Sequence, residues 1–331
     1  MTTLAHFSDA AAPRSGEPSR RLTTSVVICA FSLPRWPVTR AAVESVLAQS
    51  RPADEVLLVI DYNDALFELA ANELTGVRVV LNQHQKGLAG GKNTGLEIAQ
   101  TDLVAFLDDD AVADRMWLER LVAHVEADDD VLGAGSAVHP AWAGAAPAWF
   151  PPEFLWVVGC SYRGLPEKTA TVRNPFGGAM VVRRAVALEA GGFSTTLGRV
   201  GDKPTGCEET EFCIRVQRQA GGRFLFDPEA SISHAVPADR GRWSYFLRRC
   251  YYEGRSKAIV ARHAGSDMAL ESERPYVARI LPTALLRSAR RVLSGDLNGF
   301  NEGMAIVAGL LTTCLGYGQG VARRYVHADE T

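Results

Sequence analysis

Three consecutive aspartates, Asp108, Asp109 and Asp110, offer the clearest chemistry in this sequence. They directly follow the apolar run 103–107, which is typical of a buried strand. Their negative charges repel one another, so a cation between them is stabilising, and carboxylate oxygens suit Mg²⁺ or Mn²⁺. Because alternate side chains of a strand share a face, Asp108 and Asp110 can converge on such an ion while Asp109 points elsewhere. A solvated acidic turn with a helix N-cap is the alternative interpretation.

The elements predicted before the aspartates alternate between strand and helix. Strands are predicted at 25–31, 55–60 and 77–81, and helices at 38–49 and 66–74. This alternation implies right-handed crossovers and a doubly wound, mainly parallel α/β sheet, in which ligands bind beyond the carboxyl ends of the strands. Asp61 follows the second strand, and a glycine-rich loop at 87–93 precedes a predicted helix at 94–99. We therefore expect Asp61, this loop and the aspartates to meet at one edge of the sheet.

Two glycines and two glutamates stand out in the second half of the chain. Gly177 and Gly178 begin a predicted strand, and their missing side chains allow a ligand or backbone to approach closely. Glu208 and Glu209 begin a predicted helix, where negative charge complements the helix dipole. The aromatic segment 141–175 is interpreted either as facing a substrate or as ordinary core packing. Further strands are predicted at 131–134, 224–227 and 232–234.

Composition limits the classes of function. The chain has 331 residues and a formal net charge of -3, which gives no electrostatic case for binding nucleic acid. The six cysteines show neither a CxxC pair nor zinc spacing, so we expect them to be reduced in a cytoplasmic protein. Residues 1–22 lack the apolar core of a secretory signal and are predicted to be a disordered leader.

The C-terminal region, 263–331, is predicted to be helical. Arginines are interleaved with apolar residues over 276–293, the pattern of a basic amphipathic helix at a membrane surface. The stretch 304–322 approaches the ~20 residues that span a bilayer. Packing onto the rest of the chain, or onto the partner in a homodimer, is the alternative interpretation.

The chain resembles the family 2 glycosyltransferases, which have the GT-A fold. The residues that carry the resemblance follow in order over roughly 24–260. They are the strand 25–31, Asp61, 87–95, Asp108-Asp109-Asp110, 176–180 with Arg183 and Arg184, 191–193, 208–211 with Arg215, and His234. The resemblance implies one GT-A domain over residues 23–262.

The resemblance also implies an activity: inverting transfer of a sugar from a nucleotide-diphosphate sugar to a hydroxyl on a glycan or lipid-linked glycan, with Mg²⁺ or Mn²⁺. Asp108, Asp110 and His234 would hold the metal. The donor would contact Ala30, Phe31, Asp61, Lys92, Asp108, Asp109, Gly177 and Gly178. Lys92 stands where an arginine is usual and can still meet a phosphate as a point charge.

Glu209 matches the family's general base, the second acid of a Glu-Asp pair that is Glu-Glu here. Glu208 is the alternative base. Two alternative functions are considered. A nucleotidyltransferase would need a glycine- and arginine-rich loop that 30–40 does not supply, and a non-catalytic sugar-binding protein would not need these acidic residues. Lipid-linked acceptors in the family fit a protein at the cytoplasmic face of a membrane.

Overall fold

The computed structural model describes residues 21–196 and 206–328. The predicted leader therefore lies outside the described residues, apart from its last two positions. The strands are β1 (Thr24–Ala30), β2 (Glu55–Ile60), β3 (Arg78–Leu81), β4 (Leu103–Asp108), β5 (Ala111–Ala113), β6 (Val131–Trp142), β7 (Ala170–Val172), β8 (Ala179–Arg183) and β9 (Arg223–Val236). The α-helices are α1 (Trp36–Leu47), α2 (Asp64–Glu73), α3 (Leu88–Ile98), α4 (Trp117–Ala127), α5 (Arg184–Glu189), α6 (Glu208–Ala220), α7 (Trp243–Ala264), α8 (Ser266–Ala269), α9 (Glu273–Pro275), α10 (Leu281–Leu293) and α11 (Asn298–Ala328).

The strands form one sheet in the order β3-β2-β1-β4-β8-β6-β9-β5, with β7 on β9. The predicted α/β fold is confirmed, and β3, β2, β1 and β4 are parallel as expected. Beyond β4 the sheet is mixed rather than mainly parallel. There β8 runs antiparallel to β4 and β6, whereas β6 and β9 are parallel. β5 and β7 each run antiparallel to β9.

The parallel half sets the edge at which the acidic residues lie. Cys29 of β1 pairs with Asp108 of β4, and the backbone N–H of Asp61 donates to the carbonyl of Ala30. β1, β2 and β4 are largely buried because their apolar runs pack against helices on both faces of the sheet, whereas the edge strand β3 is partly exposed. The carboxyl ends of β1, β2 and β4 therefore meet, as the sequence predicts.

The glycine-rich segment is helical, so the predicted loop at 87–93 and helix start at 94 are wrong. Helix α3 begins at Leu88 and follows Gly87, whose φ of 130° favours glycine. A side chain at Gly95 would overlap Val27, and a Cβ at Gly91 would lie 3.1 Å from Cys29 Sγ. Close packing of the helix on β1 outweighs the low helix propensity of glycine.

Three predicted strands are parts of longer ones. β6 runs well beyond the predicted 131–134, and β9 joins the strands predicted at 224–227 and 232–234 through a register shift. In segment 141–175, Phe154 is buried, and Trp149 stacks on Trp243 with ring centroids 4.5 Å apart. Core packing is thus the better interpretation of these two rings, whereas Trp156 and Tyr162 of the same segment line a cavity at the edge of the sheet.

The C-terminal helices share the core of the sheet domain. Helix α11 packs so closely on α7 that side chains at Gly254 or Gly316 would overlap the facing backbone. Arg287 of α10 pairs with Glu153 at 2.7 Å and also with Glu302, and both acids are buried. Helices α10 and α11 are therefore built into the folded domain.

Candidate active site

A cavity of about 1270 Å³ opens at the carboxyl edge of the parallel strands. Every residue that the sequence assigns to metal, donor or catalysis lines this cavity. They are Ala30, Phe31, Asp61, Lys92, Asp108, Asp109, Asp110, Gly177, Gly178, Glu208, Glu209 and His234.

Asp108, Asp110 and His234 form a cluster of possible metal ligands. Their ligand atoms all lie within 4.8 Å of one another. The short strand β5 creates this arrangement, because it turns the chain back against β9 and pairs Ala111 with His234. Two carboxylates and an imidazole are a donor set that suits Mn²⁺ or Mg²⁺. The side chains present therefore fit a divalent ion.

Arg35 is a cation that the sequence analysis missed. Its Nη2 lies 2.8 Å from Asp109 Oδ1 and 2.6 Å from Asp110 Oδ2. Burial outweighs this pairing at Asp109 and raises the pKa of Asp109 to about 7. Burial also acts on Asp110, but the hydrogen bond from His234 and the charge of Arg35 hold its pKa below the usual range. Arg35 thus offsets part of the repulsion that the sequence argument assigned to a metal alone.

Gly177 and Gly178 leave space for acidic side chains. A side chain at Gly178 would overlap the carboxylate of Asp108. A Cβ at Gly177 would lie 2.8 Å from Glu209 Cβ and 3.0 Å from Lys92 Nζ. The close approach expected at these glycines is therefore made by the carboxylates on β4 and α6.

Glu208 and Glu209 form the first turn of α6, directly after Cys207, which has a φ of 69°. Glu208 is buried, and its Oε1 lies 3.9 Å from the Nζ of Lys92, which is also buried. Burial and the negative charge of Glu208 raise the pKa of Glu209 to about 7, while Lys92 opposes the increase. A carboxylate with a pKa near neutrality is suited to accept a proton.

Asp61 is fixed at the far side of the cavity. Asn82 Nδ2 donates to its Oδ1 at 2.7 Å, and the backbone N–H of Gly87 donates to its Oδ2 at 3.0 Å. Phe31 stands nearby with 55% of its surface exposed. This part of the cavity therefore has an apolar surface, the ring of Phe31, and a hydrogen-bond acceptor held in place, the carboxylate of Asp61.

The cavity continues away from the aspartates to a wall that the sequence analysis did not predict. Tyr276, Arg279 and Ile280 lie in a π-helical turn that precedes α10 and line this wall. Lys257 of α7 also lines the cavity, and its Nζ pairs with Glu273 Oε1 at 2.6 Å. π-Helical turns are rare and often occur at functional sites, so this turn supports a functional role for the wall.

Comparisons with known proteins agree with this geometry. Residues 25–189 match the family model described as glycosyl transferase family 2. The chain is 34% identical over 242 residues to the glucosyl-dolichyl phosphate glucuronosyltransferase of Haloferax volcanii, covering 72% of this chain and 77% of that protein. It is 28% identical over 188 residues to the pre-mycofactocin glycosyltransferase of Mycobacterium tuberculosis, covering 56% of this chain and 38% of that protein.

The fold is also similar to that of a mannosyltransferase from Pyrobaculum calidifontis, solved in complex with GDP-Man and Mn²⁺. The TM-score is 0.54 at 18% identity, and the match covers 91% of this chain and 89% of that one. The chain therefore belongs to glycosyltransferase family 2, and it is a glycosyltransferase with the GT-A fold.

Proposed function

We propose that the enzyme transfers a sugar, with inversion, to a hydroxyl of a lipid-linked glycan at a membrane surface. The observation that carries this proposal is the continuity of the cavity. It joins the aspartates and the glutamate pair to a wall made by the C-terminal region. The glucosyl-dolichyl phosphate glucuronosyltransferase, whose name specifies a lipid-linked substrate, supports the choice of acceptor.

The donor would lie over the ends of β1, β2 and β4. Asp108, Asp110 and His234 would hold the metal, whose charge neutralises the leaving nucleoside diphosphate when it is bound. Asp61 would contact the nucleotide base beside Phe31. Lys92 lines the cavity with its Nζ 3.9 Å from Glu208 Oε1, and its positive charge would favour the diphosphate of the donor.

Glu209 would remove the proton from the acceptor hydroxyl as the new bond forms. The proton goes to the Glu209 carboxylate, the acceptor oxygen bonds to the anomeric carbon, and the bond to the diphosphate oxygen breaks. Because one base acts from one face in a single displacement, the anomeric configuration inverts. The glutamates and the aspartates line the same cavity from different elements, α6 and β4, which supports this assignment.

The surface of the C-terminal region is suited to a membrane. The segment Asn298–Ala322 is long and apolar enough to cross a bilayer, although many soluble proteins contain one such helix. Large apolar side chains stay exposed along α10, α11 and their connection. They are Leu285, Leu286, Leu293, Leu297, Phe300, Met304, Val307, Leu311 and Leu315. Arg279 and Arg290 are also exposed nearby, so we propose peripheral binding at the anionic cytoplasmic face rather than spanning.

Replacing Leu286, Phe300 and Leu311 together by serine should release the protein from anionic vesicles. Each large apolar side chain buried in lipid contributes roughly 1.5–3 kcal/mol, so vesicle affinity should fall by more than ~10²-fold. Flotation with phosphatidylserine-containing vesicles measures this affinity. Serine at Leu47 and Leu81, which are exposed elsewhere, is the matched control. Equal flotation of all variants would contradict the membrane assignment.

Truncation would be a poor test, because Leu281 and Ile306 belong to the same buried core as β1 and β4. Point substitutions on the exposed face leave that core intact.

The activity itself is tested by incubating the enzyme and Mn²⁺ with UDP-, GDP- and dTDP-sugars, each with a polyprenyl-phosphate-linked glycan or the same glycan without lipid. We expect transfer to the lipid-linked acceptor, and slow donor hydrolysis without any acceptor. Preference for the free glycan would overturn the lipid-linked acceptor. Pyrophosphate release from nucleoside triphosphates would indicate a nucleotidyltransferase, and binding without turnover would indicate a sugar-binding protein.

A further inference from the structure

The two ring nitrogens of His234 have different neighbours. Nε2 lies 3.2 Å from Asp110 Oδ1, on the side of the possible metal ligands. Nδ1 lies 3.8 Å from the thiol sulfur of Cys160, a contact within hydrogen-bonding range for sulfur. Both residues are buried, with 5% of His234 and 0% of Cys160 exposed. Because the proton on one nitrogen of a neutral imidazole decides what the other can do, the neighbour of Nδ1 affects Nε2 as a ligand.

Backbone hydrogen bonds hold Cys160 beside this ring. Its own N–H donates to the carbonyl of Leu155 at 3.1 Å. The next residue, Ser161, donates its N–H to the carbonyl of Val138 and accepts from the N–H of Val138 through its hydroxyl. Val138 belongs to β6, which pairs with β9, the strand that carries His234. The thiol and the imidazole are therefore placed against each other by adjoining segments of one sheet.

A thiol can serve the ring in two ways, because it is both a weak donor and a weak acceptor. When Nε2 donates to Asp110, a neutral ring has its lone pair on Nδ1, and the S–H of Cys160 can donate to it. When Nε2 offers its lone pair to an ion, the proton is on Nδ1 and the sulfur can accept it. The S–H then has the carbonyl of Val158 as its acceptor, 3.8 Å from Sγ. A carboxylate in this place could only accept.

We infer that Cys160 is a positioning residue for His234, holding the imidazole with Nε2 directed at the metal site, and that it thereby contributes to the affinity for the ion. Cys160 would touch neither the ion nor a substrate, because its sulfur lies on the Nδ1 side of the ring. The inference rests on the proposed metal site of Asp108, Asp110 and His234. The competing interpretation is apolar packing, since Cys160 also belongs to the main buried core.

Binding of Mn²⁺, followed by the electron paramagnetic resonance signal of the free ion, tests the inference. Cys160→Ala should weaken binding by about 10-fold, the lower end of the range for partners of metal ligands, because a thiol bonds weakly. Cys160→Ser keeps a donor and an acceptor, so its affinity should stay within about 3-fold of the unsubstituted protein. Cys250→Ala is the matched control, since Cys250 is a fully buried cysteine of α7 outside the cavity lining.

A double-substitution cycle with His234→Gln separates positioning from general packing. If Cys160 acts through His234, Cys160→Ala should cause no further loss of Mn²⁺ affinity once His234 has been replaced. Cys160→Val, which fills the space without hydrogen bonding, carries the test should Cys160→Ala lose its folding transition. Full affinity of both apolar variants, a serine variant as weak as they are, or equal losses in both backgrounds would overturn the role of Cys160. If the unsubstituted protein bound no Mn²⁺, the proposed metal site itself would be wrong.

Discussion

Glu209→Gln is expected to lower turnover by ~10²–10⁴-fold while donor affinity stays nearly unchanged. The pKa of Glu209 is raised to about 7 by burial and by the negative charge of Glu208. A carboxylate with such a pKa can take the acceptor proton near neutral pH. Glutamine keeps the size and most of the hydrogen bonding but cannot accept the proton. Single-turnover transfer at saturating acceptor measures the loss, and calorimetry follows donor binding separately.

The pH dependence gives this prediction a matched pair of controls. The base must be unprotonated, so turnover falls as the pH drops below its pKa. Glu208→Gln removes a negative charge that raises the pKa of Glu209, so the acid limb should move to lower pH. Lys92→Met removes a positive charge that lowers the same pKa, so the limb should move to higher pH. If Glu208→Gln loses turnover and Glu209→Gln retains it, the base is Glu208. If both retain turnover, the proposed mechanism fails.

The parallel half of the fold could be predicted because each of its strands and helices has a recognisable pattern in a short stretch of sequence. The runs 103–107 and 56–60 are continuous apolar stretches, and their alternation with helices sets the direction of each strand. Asp61 and Asp108 therefore fall at one edge for topological reasons alone. No such rule covers the antiparallel half, where the three-residue strand β5 is too short to give a periodic signal.

The helix α3 shows where local propensity gives the wrong answer. Glycine is a poor helix former, and the sequence therefore predicts a loop at 87–93, which contains Gly91. Gly91 lies instead in the same helix as Gly95, because glycine at these two positions allows the helix to approach Cys29 and Val27 of β1. That requirement is tertiary, so no window of neighbouring residues contains it.

Arg35 was missed for a related reason. It lies in a 3-10 helix between β1 and α1, and its immediate neighbours do not form a motif that marks it as part of a site. A partial signal existed for Arg35, because it follows β1, whose carboxyl end adjoins that of β4. A cation after a neighbouring parallel strand is a candidate partner for acids at the same edge.

Asp110→Asn is expected to weaken Mn²⁺-dependent binding of a nucleoside diphosphate by at least ~10²-fold, because even residues that only support metal ligands typically contribute 10–100-fold. Asp110 Oδ1 lies 3.2 Å from His234 Nε2, and its Oδ2 pairs with Arg35. Asparagine keeps this shape but loses the charge that attracts the ion. Titration of Mn²⁺ alone, followed by diphosphate titration at fixed Mn²⁺, separates the loss of metal from the loss of nucleotide.

Asp129→Asn is the control for this loss of charge, because Asp129 is an exposed acid on the turn before β6. It should bind Mn²⁺ and diphosphate as the unsubstituted protein does. Undiminished Mn²⁺ binding by Asp110→Asn would mean that the ion binds without Asp110, and that Arg35 rather than a metal balances the charge of this carboxylate. The ~10²-fold effect is expected because Arg35 occupies only one oxygen of Asp110 and leaves the other beside Asp108 and His234.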